Sequence, residues 1–338
     1  MSAKGFLLGA VSAAILTLIS PGNAANAPNY KVVERIKVPD GVFDYATFDP
    51  SVGRVYMPRG AYTTVIDVKT GAASQLASGA GDHIALPIPG TTLLVVTQRT
   101  GSIRIIDAAT DKMLAEFQGE KNPNSAVYDP VTKLAFVLNK DSGTATLVDP
   151  LQRKVVQTVP VSPNVLEFPV TDGAGRVFDN VETTGEIVVL DTKTRKVTAT
   201  YKLAGCEEPS GLAYAPDAKL LISSCRNQVT KVVEAATGKE VASLPIGRGP
   251  DAVIYDPRRK LAFIPCGGDG VLEVISLADP AHIAVVQHVQ TQAGSRTGTV
   301  DPATGRLYLM ASKPDPAAPP GRGARRLAGS WEVLVVAP

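Results

Sequence analysis

Short apolar or β-branched runs alternate along the chain with turns built from Pro, Gly, Asn and Asp, and helical 3.6-residue spacing is missing from these units. The clearest unit holds four such runs: Asp251 to Tyr255, Leu261 to Cys266, Val271 to Leu277 and Ile283 to Val289. Each is rich in residues that suit a pleated, half-buried surface, so each predicts a strand.

The runs repeat. Two aliphatic residues followed by an acidic one occur at Val65-Ile66-Asp67, Ile105-Ile106-Asp107, Leu147-Val148-Asp149, Val189-Leu190-Asp191 and Val232-Val233-Glu234. A degenerate copy stands at Val274-Ile275-Ser276, and the copies return every 40 to 43 residues. A second marker keeps the same period: Asp49-Pro50, Asp129-Pro130, Asp256-Pro257 and Asp301-Pro302, with Ala215-Pro216 as a stand-in. Four short strands in a unit of roughly 42 residues predict a propeller blade, and the missing helical period argues against ankyrin or tetratricopeptide repeats. Seven units fit, with innermost strands starting near Asp44, His83, Asn124, Asn164, Ser210, Asp251 and Arg296. The expected fold is an all-β, seven-bladed β-propeller. The last unit, ending in Trp331 to Val336, lacks a fourth strand, which the segment Lys31 to Lys37 is placed to supply.

Residues 1–27 stand apart. Lys4 precedes an uncharged, mostly apolar run from Gly5 to Ile19, followed by Pro21, Gly22 and the small-residue stretch Asn23 to Ala27. This predicts a cleaved secretory signal peptide, with residues 28–338 forming a single propeller in the periplasm or outside the cell. No later segment is long and apolar enough for a transmembrane span. One long insertion, rich in Pro and Arg, covers residues 313–329.

The units resemble YVTN-repeat β-propellers, in particular the YncE-like exported bacterial proteins. The most specific resemblance lies in Gly205 to Ala213, Ser224-Cys225-Arg226-Asn227 and Pro245 to Gly249. The tetrad that names the family occurs in no identical copy, and Phe136-Val137-Leu138-Asn139 comes closest. The resemblance implies an exported seven-bladed protein from a family connected with nucleic acid, metal uptake and surface roles.

Charge narrows the choices. With 34 Lys+Arg against 32 Asp+Glu, the chain lacks the basic footprint of a duplex nucleic-acid binder, and aromatics at 5% disfavour single-strand binding. P-loop, nucleophile-elbow, zinc-protease and c-type haem motifs are absent.

The candidate site follows from the repeat. About six residues before each turn proline stand Asp44, His83, Asn124, Ser210, Asp251 and Arg296, and Asn164 is the residue read for the fourth unit. All are polar on otherwise apolar strands, and together they would ring one mouth of the axial channel as a ligand site. Asp44, Asn124, Asn164 and Asp251 are the oxygen and amide donors for a divalent ion, should one bind, although no cofactor is required. In that case His83 would be the base of a lactonase-like, metal-assisted hydrolase. Glu207, Glu208, Arg226 and Arg248 fall in loops that could face the same side. The leading expectation is a non-enzymatic, monomeric binding or scaffold propeller with an unassigned ligand or protein partner; single-stranded nucleic-acid binding is a further alternative.

Of three cysteines, Cys206 precedes the innermost strand of unit five and Cys225 ends the strand returning beside it. An oxidising compartment favours a Cys206–Cys225 disulfide and leaves Cys266 free; Cys225–Cys266 is the competing pair.

Overall fold

The computed structural model describes residues 28–42, 44–81, 83–317 and 325–338, so the expected signal peptide lies outside the described residues. The described chain forms seven four-stranded antiparallel sheets arranged as a seven-bladed β-propeller. Six sheets each take four consecutive strands. The first, for example, runs Thr47–Asp49, Arg54–Pro58, Thr63–Asp67 and Ala73–Leu76 from the axis outward.

The seventh sheet closes the ring. Its order from the outside is Lys31–Lys37, Glu332–Ala337, Arg306–Ala311 and Gly298–Asp301. Lys31 pairs with Ala337 and Lys37 with Glu332, as the missing fourth strand required. Glu332, 4% exposed, accepts from Arg35 at 2.5 Å, and Arg59 lies over the Trp331 ring at 4.3 Å. The closure thus carries a half-buried ion pair and a cation–π contact as well as a ladder.

Apolar residues of adjoining sheets pack face to face. Phe136 and Val159 of blade three meet Val177 and Val188 of blade four, and Phe263 and Leu272 of blade six meet Leu307 and Leu334 of blade seven. The second and third strands are almost wholly buried, as in Leu261–Cys266, while outer strands such as Glu240–Pro245 alternate between exposed and half-buried. That contrast separates core strands from rim strands in every blade.

In blades one, two, six and seven the innermost strand is only three or four residues long. In blade six the regular ladder covers only Ile254–Asp256, with an isolated bridge from Pro250 to Cys266. Near the axis the backbones of neighbouring blades converge. A Cβ on Gly211 would meet Ala252 C and Val253 N at 2.4 Å, so blade five can pass blade six there only as glycine.

The Cys206–Cys225 disulfide is present, its Cα atoms 5.4 Å apart, and Cys266 is free and buried. The 313–329 insertion has an ordered stem: Pro314 bridges Arg326, Asp315 N–H donates to Arg325 O, and Gly329 N–H donates to Asp40.

Candidate functional site

Every innermost strand runs in the same sense, starting at one mouth of the axis and ending in its turn at the other. The predicted polar residues therefore share one end. Asp44, His83, Asn124, Ser210 and Asp251 lie there, with Arg296 held against Asp251 at 2.6 Å.

The contacts knit blades together. His83 is 1% exposed, with Nδ1 at 2.7 Å from Asp44 Oδ2 and Nε2 at 2.9 Å from Asn122 Oδ1. Its imidazole therefore joins blades one, two and three, and neither ring nitrogen is left open. Ser210 donates to Pro250 O and faces Ser224, while Asn180 donates to Ser210 O and Gly211 O.

Asn164 does not take the fourth place. It lies half-buried in the preceding loop, with its N–H donating to Ser162 Oγ. Glu167 occupies the ring position instead. Blade four turns on Asp172-Gly173 rather than Asp-Pro, with Gly173 at φ +68°, so counting back from that turn reaches Glu167. The four residues named as cation donors consequently do not form one oxygen cluster, and among the described residues no group of three or more His, Cys, Asp or Glu could hold a metal ion.

Glu167 is the centre of the site. It accepts from Tyr45 of blade one at 3.1 Å and from Lys140, which also bridges Glu182 at 2.6 Å. Asn124 stands 3.4 Å from the same carboxylate, and Ser125 donates to Glu167 O at 2.5 Å. The Tyr45 ring packs on Phe168, centroids 4.4 Å apart. Burial pushes the Glu167 carboxyl up to about 7, against the pull of Lys140 and with the push of Asp251 and Glu182. Asp179, buried beside it, is raised well above the usual carboxylate range by burial and then by the Glu167 charge. Lys140 loses basicity to burial but gains more from Glu167 and Glu182 and stays above the ordinary lysine value. Burial also raises the Tyr45 phenol, followed by the charges of Glu167, Asp251 and Asp44. The Tyr45 hydroxyl thus feels carboxylates of blades one, four and six, and it touches that of Glu167.

Other predicted groups lie in loops at the same end of blades five and six. Arg226 pairs with Glu208 and Arg248 with Asp269, while Glu207 N–H donates to Asn227 Oδ1. His282 and His288 pair with Asp279 and Glu273 on blade six. A cleft of about 750 Å³ between the outer strands of blades three and four, near Gln157 and Arg195, lies apart from the axial network.

Behind the polar mouth the axis is apolar. A channel of about 500 Å³ is lined by residues from all seven blades, among them Ala46, Ile84, Ala126, Phe168, Leu212 and Val300. It opens into a basin of about 650 Å³ at the turn end, a feature the sequence reading did not single out.

No family profile and no curated protein matches the chain. Solved structures do. The chain is similar to the RRP9 WD40 repeats at 10% identity and TM-score 0.76, covering 92% of this chain and 99% of that one. A chain in the Mitotic Checkpoint Complex matches at 14% identity and TM-score 0.71, over 100% of this chain and 98% of that one. Hydrazine synthase of Kuenenia stuttgartiensis matches at 15% identity and TM-score 0.70, over 81% and 94%. At such identities the likeness is one of fold: the chain is a seven-bladed β-propeller of the WD40-like shape.

Proposed function

We propose that the protein is an exported, non-enzymatic binding or scaffold propeller that offers the polar end of its axis to a ligand or protein partner. The observation that carries this reading is the rigid, mixed-charge mouth. Its deep members are locked to one another, while Asp44, Lys140, Glu182 and Arg296 keep side-chain exposures of 18, 19, 17 and 24%. Groups fixed in place and still reachable suit recognition, because little order is lost on binding. The disulfide, residues 1–27 and the resemblance to YncE-like YVTN propellers support export. The hydrolase alternative asks for Asp44 and Asp251 as ligands and His83 as base, yet these engage Arg296 and one another.

The test is site-specific photo-crosslinking in cells exporting the protein. A benzophenone side chain at the exposed Asp141, next to Lys140, is compared with one at Val241 on an outer strand. Discrete adducts from position 141 alone support the reading. Equal labelling at both positions, or none at 141, overturns it. One divalent ion per chain, lost in an Asp44→Ala/Asp251→Ala variant, would turn the assignment towards the hydrolase.

A further inference from the structure

The end of the axis opposite the polar mouth has its own repeat-derived chemistry. Phe48, Tyr128, Tyr214 and Tyr255 each stand four residues after a ring position, namely Asp44, Asn124, Ser210 and Asp251. The repeat therefore delivers four aromatic rings to one basin, and all four are half-buried there. Pro89, Pro130, Pro216 and Pro257 form its rim, so its walls are stiff. Phe48, Tyr214 and Tyr255 also line the channel behind it, which makes basin and channel one continuous space. At its far end Tyr45 crosses the axis to Glu167.

Charge at this end is largely consumed. Asp129 accepts from Thr132, Asp149 from Leu151 and Gln152 N–H, Asp172 pairs with Arg176 at 2.7 Å, and Asp256 pairs with Arg259 at 2.8 Å. Asp217 stands at the solvent edge near Tyr255. The hydroxyls of Tyr128, Tyr214 and Tyr255 have no hydrogen-bond partner among the described residues. Burial raises all three phenols, Tyr255 to about 12, so they remain protonated and can donate.

We infer that this basin and channel form a second binding site, for an uncharged small molecule with a ring-sized apolar part and a hydrogen-bond acceptor. The apolar part enters the channel between Ala46, Ala126 and Leu212, and the acceptor meets the tyrosine hydroxyls. An ion would find no free counter-charge on the walls and would lose its hydration. An uncharged ring trades water for aromatic and aliphatic surface in a space of the size that holds small ligands.

The uncharged naphthyl ketone Prodan is the probe, read by its blue-shifted fluorescence on the purified full chain, with anionic anilinonaphthalene sulfonate as comparison. Saturable Prodan binding at one site per chain is expected, tighter than that of the sulfonate. Tyr214→Phe with Tyr255→Phe removes only hydroxyls and should weaken Prodan about tenfold, the scale of two modest hydrogen bonds. Thr299→Trp, on the channel wall, should abolish binding. No saturable binding, tighter sulfonate binding, or unchanged affinity in the tyrosine variant overturns the inference; the tyrosine variant decides alone if Thr299→Trp does not fold. The outcome is independent of whether the polar mouth has an occupant.

Discussion

The hydroxyl of Tyr45, carried by blade one, donates across the axis to Glu167 Oε1 of blade four at 3.1 Å. Blades that share no sheet face are thereby tied through a single side chain. Tyr45→Phe keeps the ring on Phe168 and removes only this bond. The variant should lose about 1 kcal/mol in urea unfolding. Unchanged or increased stability would show that the cross-axis bond contributes nothing net.

Glu167 makes the fold sensitive to pH. Its carboxyl titrates near 4.5 in an unfolded chain and at about 7 in the folded one, because burial disfavours the anion. The folded state therefore holds the extra proton between those values, so the contribution of Glu167 to stability is full below about pH 4.5 and is lost as pH rises to 7. Above that it levels off. The contribution is on the order of 3 kcal/mol. Glu167→Gln should flatten this part of the profile, so its stability relative to wild type rises from pH 5 to pH 8. Parallel profiles would remove Glu167 as the source.

The disulfide closes the hairpin between Cys206 and Cys225, 19 positions apart. Replacing both by Ala should cost roughly 3 kcal/mol by freeing the unfolded chain. A midpoint in urea that does not move would mean the bridge is energetically idle.

Cys266 should be silent towards thiol reagents in the native protein. It is fully buried, and burial followed by the nearby Glu273 charge pushes its thiol up to about 12. Unreduced protein should react with one equivalent of reagent in denaturant and with none when folded. Rapid labelling of the folded chain would contradict its burial.

The blade repeat is readable because Asp-Pro turns and acidic strand ends recur in register in most units. Blade four replaces that turn by Asp172-Gly173, so the Asp-Pro register leads to Asn164 instead of Glu167. An Asp-Gly turn at the same period was the signal that could have corrected it. Tyr45 is not legible in the sequence because an aromatic beside Asp44 reads as core, and only the closed ring brings it to blade four. Lys140 and Asn122 come from the loops beside the strands, whose positions follow no fixed register. The aromatic basin was legible as a four-residue offset from the polar ring, but tyrosines at the end of an apolar strand look like packing until the turns are seen to converge.

The pairing of Lys31–Lys37 with Glu332–Ala337 sets a timetable for the chain as it emerges. Arg35 and Glu332 are 297 positions apart, so their sheet cannot form while the intervening blades are still being delivered. Six blades can assemble locally, each from its own four strands, but the annulus stays open until the final strand arrives. Until then Lys31–Lys37 has no partner, and the waiting strand is exposed to pairing with a neighbouring copy. Its glutamate, arginine and lysines then act as a temporary guard that keeps the open ring from joining others before it closes on itself.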